Sequence, residues 1–179
     1  MTAMVPTVAL FALAAAVAPP DGELLPVGAP APDVIGKDAS GKTVRLSAQK
    51  RKFAVVYFYP KDDTTGCTKE ACAFRDNLDR FGKAGVTVFG VSRDSEASHR
   101  AFQSKYQLPF PLVADPSGAV QRAYRVPNAR PDAEVAARVT FLVGPDGKIA
   151  RVWPKVDPTL HAGEVLDAIT AAKAEMKSR

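Results

Sequence analysis

The sequence of 179 residues predicts an α/β fold, a central mixed β-sheet flanked by helices. Three observations carry this expectation. Phe53–Tyr59 (FAVVYFY) and Val86–Val91 (VTVFGV) are unbroken runs of apolar, β-branched and aromatic residues, as expected of strands buried on both faces. Between them Ala71, Phe74, Leu78 and Phe81 recur at intervals of 3, 4 and 3, one face of a helix spanning Thr68–Lys83. Val139–Val143 and Ile149–Trp153 flank Gly144-Pro145-Asp146-Gly147 and read as an antiparallel hairpin.

The remaining elements follow in chain order. Met1–Ala18 has no charged side chain, and Val8–Val17 is a run of ten apolar residues; Ala14, Ala16 and Ala18 offer small-residue cleavage patterns. This reads as a signal peptide over 1–18, and the run is short of the ~20 residues of a membrane span. Export to a periplasmic or extracellular space is therefore expected, with a cytoplasmic location as the alternative, and membrane attachment only if the leader stays uncleaved. Pro19–Pro32 holds five prolines and reads as an extended connector, with the folded part starting near Leu25. Asp33–Leu46 reads as a short β-hairpin about Asp38-Ala39-Ser40-Gly41, an N-terminal extension to the sheet. Ser95–Tyr106 is a helix capped by Asp94 or Ser95. Leu112–Ala114 is a short strand, Val120–Tyr124 a short helix, and Thr159–Met176 an amphipathic closing helix with Val165, Leu166 and Ile169 inward. Strand–helix–strand–helix, then a hairpin, then a helix is the layout of the thioredoxin-like class, in one domain over residues 25–179.

Composition narrows the functions. The formal net charge of +5 comes from scattered Lys and Arg, the densest cluster being Lys50-Arg51-Lys52. No basic stripe or named nucleic-acid motif is present, so a nucleic-acid partner is not expected. Two cysteines, Cys67 and Cys72, are too few for a disulfide scaffold. A zinc site needs three or four protein ligands, and His99 and His161 both lie far away in sequence. No cofactor or metal is expected.

Chemistry concentrates in Tyr57–Asp76, YFYPKDDTTGCTKEACAFRD. Cys67 follows a buried strand and a turn and stands at the first residues of a helix, where backbone N–H groups favour an anion. The thiolate is the reactive form of cysteine. Gly66 permits close backbone approach before the helix, and Thr64 brings a hydroxyl three residues upstream.

The run Pro60-x-x-x-Thr64-x-x-Cys67 resembles the active-site signature of peroxiredoxins. With Glu70, Cys72 and Phe74-Arg75-Asp76 it is similar to the Q-type, or bacterioferritin-comigratory-protein-like, subgroup. Arg138–Val143 (RVTFLV) is similar to that family's arginine-bearing strand, and the likeness extends from about Gly28 to the C-terminus. The resemblance implies a thiol peroxidase acting on hydrogen peroxide and small organic hydroperoxides. Cys67 is then the nucleophile and becomes a sulfenic acid. Thr64 and the Cys67 N–H orient the peroxide, Arg138 stabilises thiolate and peroxide, Pro60 shields the site, and Glu70 holds Arg138. Cys72 resolves the sulfenic acid to a Cys67–Cys72 disulfide that an external dithiol, a thioredoxin-like protein, reduces. The subgroup also implies a monomer. Two departures stand out. Thr65 occupies a position where the family usually has Pro, and Arg125–Ala137 lacks the family's aromatic and glycine pattern, which leaves Arg130 as an alternative to Arg138. A peroxide sensor using the same oxidation, and a scaffold or holdase without turnover, are the competing functions.

The cysteine spacing adds a conformational expectation. Five residues of helix rise about 7.5 Å and turn about 500°, leaving the side chains roughly 140° apart. A disulfide needs Cα atoms within about 7 Å with facing Cβ atoms. The first turns of the helix must therefore unwind for the two sulfurs to bond.

Overall fold

Strands form where the apolar runs predict them. In the computed structural model, which describes residues 23–49 and 51–178, the elements are β1 (Ile35–Lys37), β2 (Thr43–Arg45), a 3-10 turn (Leu46–Ala48), β3 (Ala54–Phe58), α1 (Thr65–Asp76), α2 (Leu78–Lys83), β4 (Thr87–Ser92), α3 (Glu96–Tyr106), β5 (Leu112–Ala114), α4 (Ala119–Ala123), β6 (Asn128–Arg130), β7 (Ala133–Ala136), β8 (Val139–Val143), β9 (Ile149–Trp153) and α5 (His161–Lys177). The proposed leader, residues 1–18, lies outside the described residues.

A seven-stranded mixed sheet, in the order β2-β1-β5-β4-β3-β8-β9, organises the domain. β3 pairs with β4 in parallel and with β8 antiparallel. Every residue of β3 is buried, and alternate side chains serve two cores. Val55 and Tyr57 join Phe74, Phe81, Phe102, Val165 and Ile169 on the face covered by α1, α2, α3 and α5. Val56 and Phe58 join Leu25, Leu46, Tyr124 and Phe141 on the other. The helices are thus unevenly shared: β3→β4 and β4→β5 step the same way across the sheet, and right-handed crossovers put α1 and α3 on one side. α4 covers the opposite face with the N-terminal lead-in and the 3-10 turn.

Two expectations are corrected. The helix predicted from Thr68 begins at Thr65, and it is interrupted at Asn77, whose backbone (φ −103°, ψ 7°) leaves the helical region between α1 and α2. The 3-4-3 spacing runs through the break because Phe74, Leu78 and Phe81 still turn toward the same core. Residues 128–136, given no structure by the sequence, form the β6–β7 hairpin. From Leu25 onward the proline-rich lead-in packs along the domain: Leu25 is buried, the Gly28 N–H donates to the Ile149 carbonyl at 2.8 Å, and the Ile149 N–H donates to the Ala29 carbonyl at 2.9 Å. The N-terminal hairpin extends the sheet, as expected, with β1 paired to both β2 and β5.

Candidate active site

The site lies where β3 ends. Antiparallel register sets Val139 opposite Phe58, so Arg138, one residue before β8, arrives level with the loop that follows β3. That loop, residues 59–64, turns directly into α1. Thr64 is the N-cap, extended at φ −86° and ψ 151°, and its carbonyl accepts the Thr68 N–H at 2.8 Å. Cys67 therefore sits in the first turn, whose amides have no carbonyl one turn back and favour an anion.

Cys67, Glu70, Ala71 and Phe74 are the buried residues of α1, an i, i+3, i+4, i+7 stripe. The Cys67 thiol and the Glu70 carboxyl thus ride on the face that anchors the helix. Phe74 seats it by stacking on Tyr57, with ring centroids 4.8 Å apart. Cys67 is 1% exposed. Cys72, about 140° round the helix, is half-buried, and both thiols are free.

Arg138 links the thiol to an acid. Its Nη2 donates to Cys67 Sγ at 3.3 Å, and its Nη1 is ion-paired with Glu70 Oε2. Gly66 makes room: a Cβ there would meet Arg138 Nη2 at 3.2 Å. Glu70 is fully buried, and burial pushes its carboxyl up to about 7 although the Arg138 guanidinium pulls the other way. For Arg138, burial opposes the charge, but Glu70 and Cys67 outweigh it and hold the guanidinium above its ordinary range. The Tyr57 hydroxyl and Glu70 Oε1 are buried with no hydrogen-bond partner among the described residues. Burial, with the nearby Glu70 and Cys67, keeps Tyr57 protonated well above its ordinary range.

The loop is braced from α3, which the sequence did not disclose. Asp62 is buried; it accepts from the Tyr59 hydroxyl at 2.7 Å and from Ser98 Oγ at 2.6 Å, and lies 2.9 Å from His99 Nδ1. The Asp62 N–H donates to Asp94 Oδ2 at 2.9 Å, and Ser92 Oγ donates to the same oxygen at 2.7 Å. Pro60 is half-buried beside this network. His161, the first residue of α5, packs edge-on against Phe74 and Trp153, with Nε2 2.8 Å from Thr140 Oγ1. Burial, then the Arg138 charge, lowers its pKa to about 4, so it is a neutral packing residue at neutral pH.

Of the residues predicted from sequence, Cys67, Arg138, Glu70 and Gly66 come together. Thr64 stands exposed at the lip, its hydroxyl donating to the Lys61 carbonyl at 3.1 Å, which leaves lone pairs able to accept from a ligand. Arg130, the alternative arginine, is exposed on β6, 3.9 Å from Asp132. Among the described residues, no three His, Cys, Asp or Glu side chains gather at metal-binding reach.

The chain has known relatives. A family profile described as AhpC/TSA family matches residues 27–152. The putative peroxiredoxin bcp of Coxiella burnetii is 42% identical over 144 residues, covering 78% of this chain and 95% of that protein. The chain belongs to the AhpC/TSA family, as a peroxiredoxin of the Q/bcp type. The chloroplastic peroxiredoxin Q of Triticum aestivum is also 42% identical, over 143 residues and 79% of this peroxiredoxin, which spans 65% of the wheat protein's length. Among solved structures, the Xanthomonas campestris bacterioferritin comigratory protein, studied for alkyl peroxide reduction, superposes with a TM-score of 0.69 at 38% identity, covering 78% of this chain and 91% of its own. The fold is that of the thioredoxin-like peroxiredoxins.

Proposed function

We propose that this peroxiredoxin is a thiol-dependent peroxidase that reduces hydrogen peroxide and small organic hydroperoxides through Cys67, Cys72 and a thioredoxin-like reductant. The observation that carries the reading is the buried Cys67 sulfur, in the first turn of α1, 3.3 Å from an Arg138 nitrogen whose guanidinium is also held by Glu70. Peroxide cleavage moves negative charge onto the departing oxygen, and a fixed guanidinium in a dry site stabilises that charge without reorganising.

The Cys67 thiolate attacks one peroxide oxygen; the O–O bond breaks, the sulfur is oxidised to sulfenic acid, and the leaving oxygen takes a proton to depart as water or alcohol. The Cys72 thiol attacks the Cys67 sulfenic sulfur, forms the disulfide and expels water. A dithiol protein then reduces the disulfide by exchange and is itself oxidised. Thr64 and the first-turn amides would accept and donate hydrogen bonds to the bound peroxide, and Pro60 would close the site to water. The cycle needs no cofactor beyond the external dithiol. A half-buried second thiol five residues from the first favours repeated turnover over single-use sensing.

The apolar leader, residues 1–18, supports export, and an exported or membrane-relayed thioredoxin-like protein would then be the reductant. We read the working unit as a monomer. The test is peroxide consumption by the wild-type chain, Cys67→Ser and Cys72→Ser, with dithiothreitol and then with a thioredoxin system. Loss of all turnover in Cys67→Ser, with Cys72→Ser losing mainly thioredoxin-supported turnover, supports the cycle. A Cys67→Ser protein that still turns over removes its basis.

A further inference from the structure

The last turn of α3 touches both ends of α1. Upstream, Lys105 Nζ donates to both carboxylate oxygens of Asp63, at 2.9 and 2.7 Å, and the Tyr106 hydroxyl donates to Asp63 Oδ1. Asp63 lies two residues before α1 and is in the left-handed region, φ 59°, a conformation that persists in a non-glycine residue when surrounding contacts fix it. Downstream, Arg75 Nη1 donates to the main-chain carbonyl of Tyr106 at 2.6 Å. That carbonyl belongs to the final residue of α3, where intrahelical partners run out. Tyr106 therefore connects residue 63 to residue 75, and the span between them carries both cysteines.

We propose that Tyr106, with Lys105, staples the two ends of α1, so that forming the Cys67–Cys72 disulfide unwinds only the residues between the staples. This rests on the reading above that Cys72 resolves Cys67. Cysteines five apart on an intact helix cannot bond, so part of α1 must melt in each cycle. Helix melting is cooperative and spreads until something outside the helix stops it. At the upstream end that stop is Asp63, backed by the buried Asp62 network. At the downstream end it is Arg75, next to the buried ring of Phe74. Both stops are carried by α3, which keeps its own fold, so the melted span is residues 65–73. Tyr106 hydrogen-bonds to Asp63 and Arg75 and to neither sulfur, and acts as a positioning residue.

Hydrogen exchange read by mass spectrometry tests this on the full chain, reduced and after one equivalent of hydrogen peroxide, for the wild type, Lys105→Met/Tyr106→Phe and Arg75→Met. The oxidised wild type is expected to lose amide protection over residues 65–73 alone. The oxidised double variant extends that loss upstream into 61–64, and oxidised Arg75→Met extends it downstream into 74–77, while all three reduced proteins match. If the reduced double variant is already frayed, Tyr106→Phe alone carries the test, because it keeps the ring against Phe102 (centroids 5.3 Å apart) and keeps Lys105; its expected spread is smaller and in the same direction. The same melted span in the oxidised variants and the wild type, or a wild type that melts throughout 61–77, overturns the proposal. Intact mass of the oxidised wild type is read separately. If it shows no loss of two hydrogens, the resolving role of Cys72 has failed and the proposal falls with it.

Discussion

Cys67 and Cys72 share one helix and differ in almost everything else. Cys67 lies on the buried stripe of α1, in its first turn, against a guanidinium. Cys72 lies off that stripe, half-buried and about 1.4 turns along. In the proposed cycle, one helix thus presents one thiol placed to attack peroxide and one that can reach it only after the backbone moves. The difference comes from angular position: residues 67, 70, 71 and 74 face the sheet, and residue 72 cannot while α1 is intact.

The comparison breaks most sharply at Cys67. In a single turnover with hydrogen peroxide, Cys67→Ser should lose a factor of ~10³ or more, as removal of a nucleophile does, whereas Cys72→Ser should stay within about twofold of wild type. Stopped-flow peroxide consumption separates them, and comparable losses would erase the distinction. Arg138→Met removes the donor that only Cys67 has, and should cost about 10²–10³ in the same rate, the scale of losing one oxyanion donor. A rate unchanged in Arg138→Met would mean that the guanidinium is structural.

The third expectation concerns pH and stability. The folded state holds the Glu70 proton up to about 7, against an ordinary value of 4.5. Between these values the folded chain binds more protons than the unfolded one, so Glu70 adds stability that is fully present below about pH 4.5 and lost as pH rises through about 7. The loss is on the order of 3 kcal/mol. Urea unfolding of wild type and Glu70→Gln over pH 4–8 should show that slope in the wild type and not in the variant; parallel curves would contradict it. The smallest effect is expected from Thr65→Pro. Thr65 is the first residue of α1 and Thr64 is already extended, which suits proline at the first helical position. Thermal melting should show a gain of about 0.4–1 kcal/mol; a destabilised variant would mean that the Thr65 N–H is in use.

How much of this was legible in the sequence depends on the range of the interaction. β3, β4 and β8 could be read because each is a nearly continuous apolar run, buried on both faces where no alternation complicates the pattern, and β9 because it follows β8 across the Gly144-Pro145-Asp146-Gly147 turn. Cys67, Gly66, Glu70 and Arg138 could be read because a spaced motif and a second strand motif carried them. The start of α1 was set too late, since Thr64 and Thr65 are both acceptable caps and neither is apolar. The break at Asn77 left no mark, because the side chains beyond it resume the same face. β6 is a fully exposed Asn-Ala-Arg with no hydrophobic period to find. The Asp62–His99 pair and the Tyr106 staple join residues 37 and 43 apart, and such contacts impose no periodicity on either segment.

In the proposed cycle only Cys67 attacks peroxide. The most direct test is to add one equivalent of hydrogen peroxide in the presence of dimedone to Cys72→Ser and to Cys67→Ser, and to map the adduct by peptide mass spectrometry. Stoichiometric labelling of Cys67 is expected in the first protein and none of Cys72 in the second. Equal labelling of Cys72 in the Cys67→Ser protein would contradict it.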